Sequence, residues 1–82
     1  MKELKDVIRN SREGLSLTQS QLANRWGQSP RSIAYYESGE RTPDAWHLYK
    51  MWAKTGDECA AVVLSWMMPQ FEAVLRRTAW KP

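Results

Sequence analysis

The stretch QSPRSIAYYESGERTP, residues 28–43, decides how the rest of the chain is read. Ser29-Pro30 starts a helix, with a hydroxyl at the N-cap and a proline at the first helical position, where its missing N–H costs nothing. Gly39 ends it, because glycine adopts the left-handed terminal conformation without strain. At ~100° per residue, Arg31, Ala34, Tyr35 and Ser38 share one side of this helix, while Ile33, Tyr36 and Glu37 share the other.

The residues upstream supply the surface that Ile33 and Tyr36 need. Thr18-Gln19-Ser20-Gln21 is a capping box that begins a second helix, and Gly27 closes it. Leu22, Ala23 and Trp26 give that helix an apolar face, and Ala23 is small enough for close approach. Only Gln28 and Ser29 separate the two helices, so they must cross sharply, as in a helix-turn-helix. Further out, Leu4, Val7 and Ile8 predict a helix over residues 2–12. Downstream, residues 44–54 predict a helix with Leu48, Met51 and Trp52 inward, and residues 57–68 another. A last helix follows Pro69 through Phe71, Val74 and Leu75. No stretch sustains a period of two, so the expected fold is all-α, with five to six helices.

The 82 residues make one small domain with a net charge of +3, a mild bias toward a polyanionic partner. One cysteine, Cys59, excludes an internal disulfide, and with only His47 beside it no metal site is expected. Residues 1–13 are too charged for a signal peptide. The longest apolar run, residues 59–64, is far short of the ~20 needed to cross a bilayer. No nucleophile with its base, no paired carboxylates and no phosphate-cradling glycine loop appears. The expectation is a cytoplasmic, non-enzymatic protein without cofactor, metal or membrane contact.

Ser29, Pro30, Arg31 and Tyr35 point away from the neighbouring helix. An arginine in the first turn, free of local acidic partners, suits a bidentate contact to guanine O6 and N7. Tyr35 adds a hydroxyl for phosphate or a ring for a thymine methyl. The alternative is a solvated charge beside a surface aromatic.

Residues 17–43, LTQSQLANRWGQSPRSIAYYESGERTP, resemble the Cro/CI-type, lambda-repressor-like helix-turn-helix family. Leu17, Thr18, Gln19, Leu22, Ala23, Gly27, Ile33, Glu37, Gly39 and Pro43 fall in register with its pattern, and the likeness spans residues 5–56. The resemblance implies base contacts from Ser29, Pro30, Arg31 and Tyr35. It implies DNA-backbone contacts from Thr18, Gln19, Ser38 and Arg41, and an ion pair between Arg12 and Glu37. An inward Glu37 would be costly without such a partner. Gln28 stands where relatives carry a small or branched apolar residue, and is expected to turn outward and join the backbone contacts. Pro30 offers no side-chain donor, so specificity leans on Arg31, with Tyr35 and DNA shape supplying the remainder. The run RSIAYYESGERTP also resembles anti-CRISPR-associated regulators, and small stand-alone members of the family come from phages and plasmids.

Residues 57–68, DECAAVVLSWMM, are apolar nearly all round and need cover on more than one side. The expected organisation is a helix-turn-helix domain over residues 1–56 and a C-terminal dimerisation segment over residues 57–82, packed on the same core. Val62, Val63, Trp66, Met67, Phe71 and Leu75 are the expected dimer contacts, since aromatics and methionine favour interfaces. The function expected is a homodimeric, sequence-specific repressor on an inverted-repeat operator, including its own promoter. A different class stays open: an antitoxin or other interaction module whose C-terminal helix covers a protein partner.

Overall fold

The computed structural model describes residues 3–70 and 73. Among these lie five helices: α1 (Leu4–Gly14), α2 (Gln19–Trp26), α3 (Pro30–Ser38), α4 (Ala45–Thr55) and α5 (Glu58–Met67). There is no strand among the described residues, so the expected all-α fold is what forms.

The local signals act where the sequence places them. Gln21 N–H donates to Thr18 Oγ1 at 3.1 Å while Thr18 N–H donates to Gln21 Oε1 at 2.8 Å, which closes the capping box of α2. Ser29 Oγ accepts from Ser32 N–H at 3.2 Å at the start of α3. Gly27 and Gly39 sit at φ +65° and +86°, conformations in which a side chain would be strained. Helix α1 begins and ends two residues later than its periodicity suggests. Asp6 reaches back to accept from the Glu3 N–H at 3.1 Å, fixing the start, and nothing breaks the helix before Gly14.

Helices α2 and α3 pack on each other, α1 packs on α3 and α5, and α4 packs on α5 and α2. Ile8, Leu22, Trp26, Ile33, Leu48 and Leu64 are fully buried where these helices meet. Burying each such aliphatic side chain is worth about 1.5–3 kcal/mol. Met51, expected inward, is half-buried at the edge of this core.

Helix α5 departs from its expected all-round burial. Cys59, Ala60, Val63 and Leu64 face the core, while Val62 and Trp66 are 50% and 46% exposed. Val63 is therefore corrected as an interface residue: at 0% exposure its surface is consumed by the chain's own core. Met67 is half-buried against that core. Pro69 and Gln70 are helical, and Phe71, Val74 and Leu75, expected in a last helix, lie outside the described residues.

Candidate nucleic-acid interface

The orientation of α3 depends on one buried carboxylate. Glu37, 3% exposed, lies on the inner side of α3 facing α1. Arg12 grips it with two hydrogen bonds, Nε to Oε2 at 2.6 Å and Nη2 to Oε1 at 3.0 Å. The same guanidinium donates through Nη1 to the Leu17 carbonyl at 2.7 Å, tying down the loop that leads into α2. Burial pushes the Glu37 pKa up. The hydrogen bonds from Arg12, Gln19 and Arg9, with the charge of Arg12, outweigh it and hold the carboxyl below its ordinary value. The bond to Glu37 in turn raises the Arg12 pKa against the opposing effect of burial.

Two further groups join this hub. Arg9 Nε donates to Glu37 Oε1 at 3.4 Å and its Nη2 to the Glu37 carbonyl at 3.4 Å. Gln19, expected on the DNA backbone, donates its amide to Glu37 Oε1 at 3.3 Å and is half-buried. One acidic side chain thus gathers α1, α2 and the end of α3. Arg9 escaped the sequence reading, although its place three residues before Arg12 puts both on one face of α1.

With the inner side fixed, the outer side of α3 is set. Ser29, Pro30 and Arg31 are exposed and Tyr35 is half-buried. The Arg41 guanidinium, in the loop after α3, lies 4.6 Å from the Tyr35 ring centroid, and that of Arg31 lies 5.9 Å away. Cation–π contact holds both charges beside one aromatic plate. Neither arginine has an ion-pair partner among the described residues. Thr18 and Ser38 are exposed but already bonded: Thr18 within its cap, and Ser38 donating to the Tyr35 carbonyl at 3.0 Å. Gln28 is half-buried, its Oε1 accepting from the Tyr36 hydroxyl at 2.7 Å.

A second buried carboxylate lies at the other end of α2. Asp57, 6% exposed, accepts at Oδ2 from Trp26 Nε1 at 2.8 Å and from the Ala60 N–H at 2.9 Å, and its Oδ1 faces Arg25 Nη1 at 3.2 Å. A ring nitrogen of His47 also bonds the Trp26 carbonyl, fastening α4 to the end of α2. Trp26, read from sequence as a packing residue, is both core and donor. Burial and then the neighbouring charge of Asp57 push the Cys59 thiol up to about 12, so it stays protonated at neutral pH.

Among the described residues no three His, Cys, Asp or Glu side chains converge as a metal site, and no helix is long and apolar enough to cross a membrane. The helix-turn-helix family profile matches residues 8–51, a little over half the chain, and takes in most of α1, all of α2 and α3 and most of α4. No curated protein and no solved structure matches.

Proposed function

From the premise that the chain belongs to the helix-turn-helix family of DNA-binding regulators, we propose that it acts as a homodimeric, sequence-specific repressor on an inverted-repeat operator, its own promoter included. The observation that carries this reading is the outer face of α3. It offers Ser29, Pro30, Arg31 and Tyr35 on a helix whose inner face is fixed by Glu37, Arg12 and Arg9. In the proposed complex Arg31 forks onto a guanine in the major groove, and Tyr35 meets a base edge or the adjoining phosphate. Arg41 and Ser38 meet the sugar-phosphate backbone, with Thr18, Gln19 and Gln28 at the start of α2 and in the turn.

Dimerisation is supported by α5, which leaves Val62 and Trp66 half exposed beside half-buried Met67. A two-fold axis through this face pairs like surfaces and sets two recognition helices one helical turn of DNA apart, about 34 Å. The same exposed apolar residues favour a second reading, in which α5 docks a different protein and the chain serves as an antitoxin-like module. Selection from a randomised duplex pool at near-physiological salt separates the two. An enriched inverted repeat is the expected outcome. Folded protein that enriches nothing would shift the function to the protein partner.

A further inference from the structure

Gln28 is bonded to Tyr36, a residue to which the DNA-binding reading assigns no function. Tyr36 is half-buried, its ring tilted against the Trp26 indole with centroids 6.4 Å apart. A partly buried phenol needs a hydrogen-bond partner, and it finds one across the turn, donating to Gln28 Oε1 at 2.7 Å. The Gln28 backbone is fixed as well, because its N–H donates to the Ala23 carbonyl at 2.9 Å in the cap that ends α2. Both ends of this side chain are therefore anchored.

A carboxamide is planar, with one acceptor oxygen and one nitrogen carrying two donors. Once Tyr36 occupies the oxygen, the nitrogen edge has a set direction. Within the described residues Gln28 Nε2 has no hydrogen-bond partner. It belongs to the residue just before Ser29, the N-cap of α3, next to the exposed Ser29, Pro30 and Arg31. A neutral, preoriented N–H at that place matches an unesterified phosphate oxygen, which accepts hydrogen bonds without carrying base identity.

We propose that Tyr36 is a positioning residue for DNA binding: its hydroxyl turns the Gln28 amide so that Nε2 donates to a backbone phosphate at the entry of the recognition helix. This rests on the DNA-binding reading above and adds to it a residue that does not itself touch DNA. The pairing also gives a glutamine a use at this turn position, since a short aliphatic side chain there leaves the Tyr36 hydroxyl unmatched.

The test is a double-mutant cycle read by equilibrium binding to the selected operator, with Tyr36→Phe, Gln28→Ala and the double variant. Tyr36→Phe keeps the ring against Trp26 and removes only the hydroxyl, so the melting temperature checks that packing is intact. Each single variant is expected to weaken binding about tenfold per half-site, and the double variant no further. The loss should be equal on matched and mismatched operators. The dependence on salt should be unchanged, because a neutral donor releases no counterion. Unaltered binding by Tyr36→Phe, or a loss that persists in full when Gln28 is already alanine, overturns the proposal. Wild-type protein that binds no duplex at all overturns the DNA-binding reading itself, and is told apart by the wild-type measurement alone.

Discussion

Two buried carboxylates hold this small protein together by different means. Glu37 is enclosed by guanidinium groups, and its chief partner, Arg12, has a side chain only 13% exposed. Asp57 is enclosed by neutral donors, the Trp26 indole and the Ala60 amide, and its cation Arg25 is 48% exposed. The first site is a charge balanced in a low-dielectric interior, where losing one partner strands the other. The second is a hydrogen-bond junction in which charge is incidental. Their positions match their chemistry. Glu37 fixes the angle of the recognition helix against α1, a stiff task suited to a bidentate pair. Asp57 joins α5 to α2 and caps α5 with the same oxygen.

The largest predicted effect comes from Glu37→Ala, which leaves Arg12 and Arg9 without their acceptor and should cost about 3–5 kcal/mol in denaturant unfolding. For a domain whose whole stability is about 5–15 kcal/mol, that is a large share. Acid should do the same more gently. A carboxyl held below its ordinary value of 4.5 stabilises the fold at pH above that value. The contribution is lost as pH falls through the lower folded value. Glu37→Gln should flatten this acid limb of the stability profile. An acid limb that survives unchanged would mean the hub is solvated and the contrast with Asp57 fails.

Asp57→Ala comes next, at about 2–3 kcal/mol, from one uncapped helix and one buried indole N–H without an acceptor. Amide hydrogen exchange should locate the damage at the start of α5, leaving α3 protected. Spreading of the effect to α3 would show that the two carboxylates form one network.

Arg31→Ala probes what the Glu37 hub is for. Stability should not move, because Arg31 is exposed and free of ion pairs among the described residues. Operator affinity should fall by about 1–3 kcal/mol, with discrimination relaxed at one base pair per half-site. Equal loss on every sequence would make Arg31 a phosphate contact.

The Arg12–Glu37 pair of the first hub was legible in the sequence and the second hub was not, for a physical reason. Glu37 belongs to a helix bracketed by Ser29-Pro30 and Gly39, so its inward direction follows from the turn angle. An inward acid demands a cation, and Arg12 is where the family resemblance puts it. The caps at Thr18 and Ser29 and the stops at Gly27 and Gly39 are equally local, and they set both ends of α2 and α3. Asp57 bonds Trp26 from 31 residues away, and nothing near either residue announces the other. The indole looked like bulk because its N–H is invisible to periodicity. Gln19 was placed on the DNA backbone by family position alone, and its bond to Glu37 within the fold could not be read from sequence, because it depends on how α2 packs on α3. Val63 was assigned to an interface because α5 is apolar all round, and only the packing of α1 and α4 decides which apolar face is taken.

The smallest predicted effect separates the two carboxylates most cleanly. Arg25→Ala removes the only cation facing Asp57 in the described residues, yet should cost under ~1 kcal/mol, as exposed ion pairs do. Asp57→Asn sharpens the point. Both neutral donors converge on Oδ2, and only Arg25 faces Oδ1. An asparagine with its oxygen at the Oδ2 position therefore keeps the indole and the cap, and turns its NH2 toward Arg25. It should cost far less than Asp57→Ala. The matching change at the other hub, Glu37→Gln, has no such refuge, because both carboxylate oxygens take bonds from guanidinium groups and neutralising them leaves Arg12 uncompensated. Should Asp57→Asn and Glu37→Gln prove equally damaging in parallel denaturation curves, charge balance governs both sites. α5 would then be held to α2 by the same kind of ion pair that sets the recognition helix.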